Sequence, residues 1–164
     1  MLLKLLGCTL IALTGFGVGT LLCKKLGARR DFFGKFSVFI SLLQTQIRYN
    51  SADIFTLVSS CANGAGLEFF DGADNAMPFA VFWNSEVDRI PKKVGLNNSD
   101  KELLSEFGSL LGTTDVEGQL KHLELYGSIF QKRLKDSQAE FRDKSRIYRA
   151  LGLFGGISAA LIIL

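Results

Sequence analysis

Few residues in this sequence could carry out acid–base or nucleophilic chemistry. His122 is the single histidine, and its helical neighbours Lys121 and Glu124 supply neither a nucleophile nor a metal-ligand set. Cys61 falls in an apolar stretch without a basic neighbour that would lower the pKa of its thiol. We therefore interpret His122 as a surface residue and Cys61 as a core residue, and we expect no catalytic site.

Motifs for cofactors and metals are also missing from the sequence. The three cysteines have no C-x-x-C spacing, so they indicate no zinc site. The glycine cluster at 63–66 lacks the Lys-Ser/Thr pair of a phosphate-binding loop, and we interpret it as a turn. Asp71 and Asp74 lack the rest of an EF-hand pattern and are interpreted as loop residues. We expect neither a cofactor nor a bound metal.

Charge is distributed unevenly along the chain. All acidic residues fall between Asp31 and Asp143, and residues 31–146 carry 13 basic and 16 acidic side chains, a net charge of −3. A nucleic-acid-binding domain would need a basic face on the folded domain, so we expect no nucleic-acid partner. The other basic residues flank this segment: Lys4, Lys24, Lys25, Arg29, Arg30 and Arg149.

The N-terminal segment predicts a membrane-spanning helix. Residues 5–22 contain no charge, and a helix of this length covers roughly 27 Å, close to the ~30 Å hydrocarbon core. The basic cluster that follows at 24–30 predicts that the next part of the chain stays in the cytoplasm. A cleaved signal peptide is the alternative, but no small-x-small site precedes Lys24. The Leu-Leu-Gly-Cys box at 5–8 would suit lipidation, but the apolar region before it is too short.

The C-terminal segment predicts a second membrane span. Residues 150–164 are uncharged but reach only about 22 Å as a helix. A start at Ile147, with Arg149 snorkelling to the headgroups, extends this to roughly 27 Å. The alternative is an apolar tail that packs on the first anchor or on another protein. We thus expect transmembrane helices at 1–23 and 150–164 and a cytoplasmic helical domain at 24–149.

The middle of the chain predicts an all-α fold, because no strand-like alternation of useful length is present. Apolar residues spaced by three and four predict a helix over 31–48. Its Phe-rich stripe at 32–40 could bind a partner helix or fill the domain's own core, and the 14 phenylalanines of the chain favour the core. Further helices are predicted over 52–61, capped by Ser51, and over 77–90, stopped by Pro91.

Two capping boxes predict a helical hairpin. Ser99-Asp100-Lys101-Glu102 opens a helix that ends near Gly112, and Thr114-Asp115-Val116-Glu117 opens the last helix. In the second box, we expect the Thr114 side-chain oxygen to accept from the Glu117 amide while the Glu117 side chain accepts from the Thr114 amide.

The last helix is predicted to be long, with a possible break near Gly152 or Gly155-Gly156. Apolar residues alternate along it by four and three, which is typical of a heptad seam and could mediate self-association. The seam positions are Val116, Leu120, Leu123, Gly127, Phe130, Leu134, Ser137, Phe141, Lys144, Tyr148 and Leu151.

Four stretches of the sequence resemble one known family. They are the Leu-rich opening with its Lys/Arg cluster, Leu42–Tyr49, Phe107–Leu120 and the Tyr148–Gly156 stretch before the apolar terminus. They resemble stage III sporulation protein AB of endospore-forming bacteria, and the likeness covers nearly the whole chain. That family is similar to the inner-membrane platform proteins of type II secretion and type IV pilus machines.

This resemblance implies a non-enzymatic platform or adaptor in the complex that joins mother cell and forespore. The implied partners are a cytoplasmic secretion-type ATPase, other stage III sporulation membrane proteins and the lipid bilayer, on the mother-cell side. One alternative is a generic two-anchor membrane scaffold that self-associates through its long helix. Another is a membrane enzyme that uses Cys61 or His122.

The candidate site residues form two groups. Gln119 is the motif residue that folding explains least, so we consider it the best interaction candidate. The interaction or helix-hairpin group is Phe107, Gly108, Leu111, Gly112, Asp115, Glu117 and Gln119. The membrane-flanking basic group is Lys24, Lys25, Arg29, Arg30, Arg146 and Arg149.

Overall fold

The computed structural model is all-helical in the part of the chain that it describes, which confirms the predicted fold class. It describes the backbone of residues 2–50, 52–70 and 77–163, and it leaves undescribed the side chains of 2–13, 15–16, 69, 149, 152–153 and 155–163. Short 3-10 turns lie at Glu68–Phe70 and Lys92–Val94. The helices are α1 (Leu2–Tyr49), α2 (Ile54–Ala65), α3 (Phe79–Arg89), α4 (Asn98–Ser109) and α5 (Val116–Ile163).

The segments predicted to span a membrane form the outer ends of α1 and α5. No helix among the described residues is long and apolar enough to cross a bilayer. Most of the side chains of the predicted spans, 1–23 and 150–164, lie outside the described residues. The break considered near Gly152 or Gly155-Gly156 is absent, because α5 continues to Ile163.

The predicted cap of α2 is wrong. Asp53 caps this helix and accepts a hydrogen bond from the Phe55 amide at 3.0 Å, whereas Ser51 lies outside the described residues. The turn predicted at 63–66 is shorter than expected, because the helix continues through Ala65. The chain leaves it at Gly66, whose φ of +70° favours glycine. The loop predicted at 71–72 lies outside the described residues.

The first capping box is present, but two residues earlier than predicted. Asn97 caps α4, accepting from the Asp100 amide at 2.8 Å, and the Asp100 carboxylate accepts from the Asn97 amide at 3.1 Å. The predicted stop at Pro91 is confirmed, since α3 ends at Arg89. Asp100 itself is fully buried, and Arg133 of α5 lies 3.7 Å from its carboxylate.

Residues 31–135 form one compact unit around an aromatic core. The Phe36 ring lies at its centre, with its centroid 4.5 Å from that of Phe130, 5.5 Å from that of Phe107 and 6.4 Å from that of Trp83. This burial confirms that the Phe-rich stripe fills the domain's own core. Among the described side chains, the fully buried aromatic residues are Phe33, Phe36, Phe39, Phe70, Trp83, Phe107 and Phe130.

Residues 1–30 and 136–164 form a second unit, in which the outer parts of α1 and α5 pair. The Cys23 thiol lies 3.5 Å from the Ser145 carbonyl oxygen, to which it donates. A Cβ on Gly27 would lie 3.3 Å from the Phe141 ring, so glycine allows α1 to approach that ring closely.

Candidate interaction site

The α4–α5 corner, residues 107–119, contains the motif predicted to form the hairpin. Gly108 allows the Trp83 indole to lie directly on α4, because a Cβ at this position would meet the ring at 2.0 Å. From there the Trp83 Nε1–H donates to the Leu104 carbonyl at 2.7 Å. Gly108 therefore serves packing between α3 and α4 rather than an exposed contact.

The turn itself depends on Gly112 and on two buried neighbours. Gly112 has a φ of +76°, a conformation that L side chains rarely adopt, and the Ile54 side chain packs 3.3 Å from where a Cβ would lie. Phe107 is fully buried and Leu111 is 2% exposed. These three motif residues therefore fix the geometry of the corner from inside.

The second capping box does not form as predicted. Asp115 is the residue that caps α5, since its carboxylate accepts from the Gly118 amide at 3.0 Å. Thr114 accepts from the Gln119 side chain instead, at 2.9 Å. Glu117 faces solvent and pairs with Lys121 at 2.9 Å, and an exposed pair of this kind contributes little to stability.

Gln119 is a structural residue of the corner, so folding explains it better than the sequence indicated, and its role as an interaction candidate stays a prediction. Its side chain is buried, and its Nε2 donates both to the Leu110 carbonyl at 3.2 Å and to the Thr114 hydroxyl at 2.9 Å. Its Oε1 is buried and has no hydrogen-bond partner among the described residues. The two donated bonds join the end of α4 to the start of α5.

Replacing Gln119 with alanine is expected to lower the free energy of unfolding by about 1–2 kcal/mol, because two hydrogen bonds across the corner are lost. Gln131→Ala is the matched control, since Gln131 is exposed on the same helix and its loss should change stability by less than about 0.5 kcal/mol. Chemical denaturation followed by circular dichroism measures both. Equal stability of the two variants would contradict the structural role of Gln119.

His122 is not the free surface residue that the sequence predicted. Its Nε2 lies 2.9 Å from the Phe107 carbonyl oxygen, and because a carbonyl only accepts, this nitrogen carries the proton. The imidazole also stacks on the Phe107 ring, with centroids 5.4 Å apart, and lies 4.6 Å from the Tyr126 ring. His122 thus joins α5 to α4.

Two further ionisable side chains lie in the apolar interior of this unit. Cys61 is 3% exposed, which confirms its core interpretation, and burial raises the pKa of its thiol. Burial and then the nearby Glu106 carboxylate raise the pKa of Tyr126. Both groups therefore stay protonated at neutral pH, which does not favour their use as nucleophiles.

No group of three or more His, Cys, Asp or Glu side chains that could hold a metal ion occurs within the described parts of the chain. Asp71 and Asp74 lie outside those parts.

From Leu120 to Leu134, the seam of α5 is covered by the chain itself. The Phe130 ring packs on Phe33 and Phe36 of α1, and a Cβ on Gly127 would lie 3.4 Å from Ile40. Leu120 and Leu134 also pack against the core. This covering differs from the expectation of self-association through the seam, because in this unit the seam already has a partner in α1.

Two apolar side chains remain exposed at the corner. Leu110 is 49% exposed and Val116 is 56% exposed. Gln119 bonds to the Leu110 carbonyl and lies three residues after Val116 on the same helix, so both apolar residues flank it. With the exposed Glu117–Lys121 pair, they form what we term the corner patch: Leu110, Val116, Glu117 and Lys121.

The membrane-flanking basic residues have different environments. Arg29 is buried and bonds to Glu140 at 2.9 Å, and the Arg30 guanidinium lies 4.4 Å from the centroid of the Phe141 ring. These two residues therefore contribute to the pairing of α1 and α5. In contrast, the side chains of Lys24, Lys25 and Arg146 are exposed, and that of Arg149 is not described.

Comparison with known proteins gives one consistent match. The family model described as stage III sporulation protein AB matches residues 4–164. The chain is similar to the stage III sporulation protein AB of Bacillus subtilis (strain 168), with 21% identity over 174 residues. That alignment covers 99% of this chain and 100% of the relative. No solved structure matches the chain.

Proposed function

Because the chain belongs to the stage III sporulation protein AB family, we propose that it is a non-enzymatic platform or adaptor in the channel complex between mother cell and forespore. In this role it couples a cytoplasmic secretion-type ATPase to other stage III sporulation membrane proteins. The family membership supports a role in sporulation, and the arrangement of the described side chains supports a binding role over a catalytic one.

The main support for a binding role is the exposed corner patch. Leu110 and Val116 expose apolar side chains on a turn held by the Asp115 cap and the Gln119 bonds. A rigid surface binds a partner at a smaller entropic cost than a flexible one. Apolar side chains surrounded by polar and charged ones are typical of transient protein interfaces.

The residues that could perform chemistry support a non-enzymatic role. The Cys61 thiol is buried and its pKa is raised. The His122 proton is bonded to the Phe107 carbonyl, so the imidazole has no nucleophile to activate at that nitrogen.

The proposed membrane arrangement is based on the sequence of the two ends. We propose that 1–23 and 150–164 insert into the cell membrane on the mother-cell side and that 24–149 forms the cytoplasmic domain. The uncharged stretch 5–22, the uncharged stretch 150–164 and the basic residues beside them support this arrangement.

Replacing both Leu110 and Val116 with glutamate is expected to weaken ATPase binding on the order of 100-fold. Each buried apolar contact at the centre of an interface is worth about 1–2 kcal/mol, and a carboxylate in its place also requires desolvation. Binding of the purified full-length chain to the ATPase, followed by fluorescence anisotropy, measures this loss.

The matched control for this experiment is the double variant Val81→Glu and Leu125→Glu. These two side chains are 55% and 59% exposed, so they accept a charge as readily as the corner residues do, and binding should be unchanged. Absence of ATPase binding by the folded wild-type chain would exclude the coupling role. Full binding by the corner variant would exclude the corner patch as the ATPase-binding surface without excluding the coupling role.

A further inference from the structure

We propose that the outer α1–α5 pair carries a binding site for the phosphate groups of anionic phospholipids, formed by Lys24, Lys25 and Arg146. We term these three residues the basic collar. This inference rests on the proposed insertion of the chain into a membrane and adds a lipid class to it.

The contact between Cys23 and Ser145 places the collar residues at one level of the helix pair. The Cys23 thiol lies 3.5 Å from the Ser145 carbonyl oxygen. Lys24 directly follows Cys23 on α1, and Arg146 directly follows Ser145 on α5. Because helical residues rise only about 1.5 Å each, their backbones lie within about one turn of this contact.

The described residues of the chain do not neutralise the collar. Within the residues that the structure describes, no carboxylate pairs with Lys24, Lys25 or Arg146, and all three side chains are exposed. The nearest acidic residues of this unit already have partners. Glu140 bonds to Arg29 and Lys144, and Asp143 lies beside Arg142.

Neighbouring cations are engaged elsewhere and are therefore not part of the collar. Glu140 bonds to Lys144 at 2.6 Å and raises its pKa through that hydrogen bond and its charge. Arg142 pairs with Asp143 at 3.3 Å. Among the described side chains, Lys24, Lys25 and Arg146 therefore remain without an acidic partner at this level of the pair.

The charge of the unit favours an anionic lipid over a zwitterionic one. Residues 1–30 and 136–164 carry nine basic and three acidic residues. The uncharged stretches 5–22 and 150–164 both lead away from the collar in the same direction, because the contact pairs antiparallel parts of α1 and α5. Insertion of these stretches would therefore place the collar at the headgroups, where basic residues attract anionic lipids.

The test is the lipid selectivity of the full-length chain reconstituted in phosphatidylcholine bilayers. Spin-labelled phosphatidylglycerol or phosphatidylcholine is added, and electron paramagnetic resonance measures the motionally restricted fraction of each. We expect the anionic lipid to be enriched about threefold or more at low salt, with the enrichment lost at high salt. The triple variant Lys24→Gln, Lys25→Gln, Arg146→Gln should show no preference.

Two controls separate the possible outcomes. The variant Lys92→Gln, Lys93→Gln, Lys132→Gln removes three exposed cations of the other unit and should keep the selectivity. Added glycerol phosphate should not displace the lipid, and displacement would overturn the assignment of the collar to membrane lipids. Reconstitution with equal restricted fractions of the two lipids, or unchanged selectivity in the triple variant, would overturn this inference alone. A chain that does not enter bilayers would overturn the proposed membrane insertion and the collar site together.

Discussion

Replacing Gly108 with alanine is expected to lower the free energy of unfolding by about 3 kcal/mol. The new Cβ would lie 2.0 Å from the Trp83 indole, which is fully buried and stacks on Phe70 with ring centroids 4.3 Å apart. The indole cannot move without disturbing that stack and its bond to the Leu104 carbonyl, and overpacking of this kind typically costs about 1–3 kcal/mol or more.

Thermal unfolding followed by circular dichroism measures this loss. We expect the melting temperature to fall by roughly 6–12 °C, since 1 kcal/mol corresponds to about 2–4 °C in a chain of this size. Gly34→Ala is the matched control, because Gly34 also lies in a helix but a Cβ there meets nothing within 4 Å. It should keep or raise the melting temperature, as alanine favours helix. A Gly108→Ala variant as stable as Gly34→Ala would contradict the described packing of α3 on α4.

Replacing Phe36 with alanine is expected to remove about 3–5 kcal/mol of stability, enough to unfold a marginal domain. The Phe36 ring is fully buried and contacts aromatic residues from three other helices: Trp83, Phe107 and Phe130. No neighbour can fill the cavity without giving up its own ring contacts.

Denaturant unfolding, with the fluorescence of the single Trp83 as the signal, measures the effect of Phe36→Ala. Val38→Ala is the control on the same helix, because Val38 is 50% exposed and its loss should change stability by no more than about 0.5 kcal/mol. A loss below about 1 kcal/mol for Phe36→Ala would show that the aromatic core is not packed as described.

The sequence was most informative about the core-facing helices. Phe32, Phe36, Phe39 and Leu43 recur at helical spacing, and a face of this kind has to be buried somewhere. Because the chain has 14 phenylalanines that need burial, the core of its own domain was the simplest location for this face. Pro91 was equally informative, because proline lacks the amide hydrogen that a continuing helix needs.

Helix starts were predicted less well, because several neighbouring residues can cap the same helix. Asn97 and Ser99 are both good caps, as are Thr114 and Asp115. Which of these candidates caps the helix depends on the other hydrogen bonds that each one makes in the folded chain. Thr114 is taken by Gln119, which leaves Asp115 to cap α5.

The roles of Gln119 and His122 could not be predicted from their neighbours in sequence. Each bonds to a carbonyl near the end of another helix, Leu110 for Gln119 and Phe107 for His122. Only the turn at Gly112 brings these groups together. The exposure of Leu110 and Val116 could not be predicted either, because the sequence around an apolar residue does not show whether it lies on the surface or in the core.

We propose that this chain acts in sporulation through binding rather than through catalysis. The direct measurement is the count of heat-resistant spores in a strain that lacks the gene and is complemented with the wild type or a variant. The first variant, Cys61→Ala with His122→Gln, removes the candidate catalytic groups while glutamine can still donate to the Phe107 carbonyl. The second variant is Leu110→Glu with Val116→Glu.

Deletion of the gene is expected to lower the spore count by orders of magnitude, with the block after engulfment. The wild type and the Cys61/His122 variant should restore the count, whereas the Leu110/Val116 variant should not, although it accumulates normally. A deletion strain that forms normal numbers of heat-resistant spores would contradict the proposed role in sporulation. A Cys61/His122 variant that is stable but inactive would contradict the non-enzymatic role.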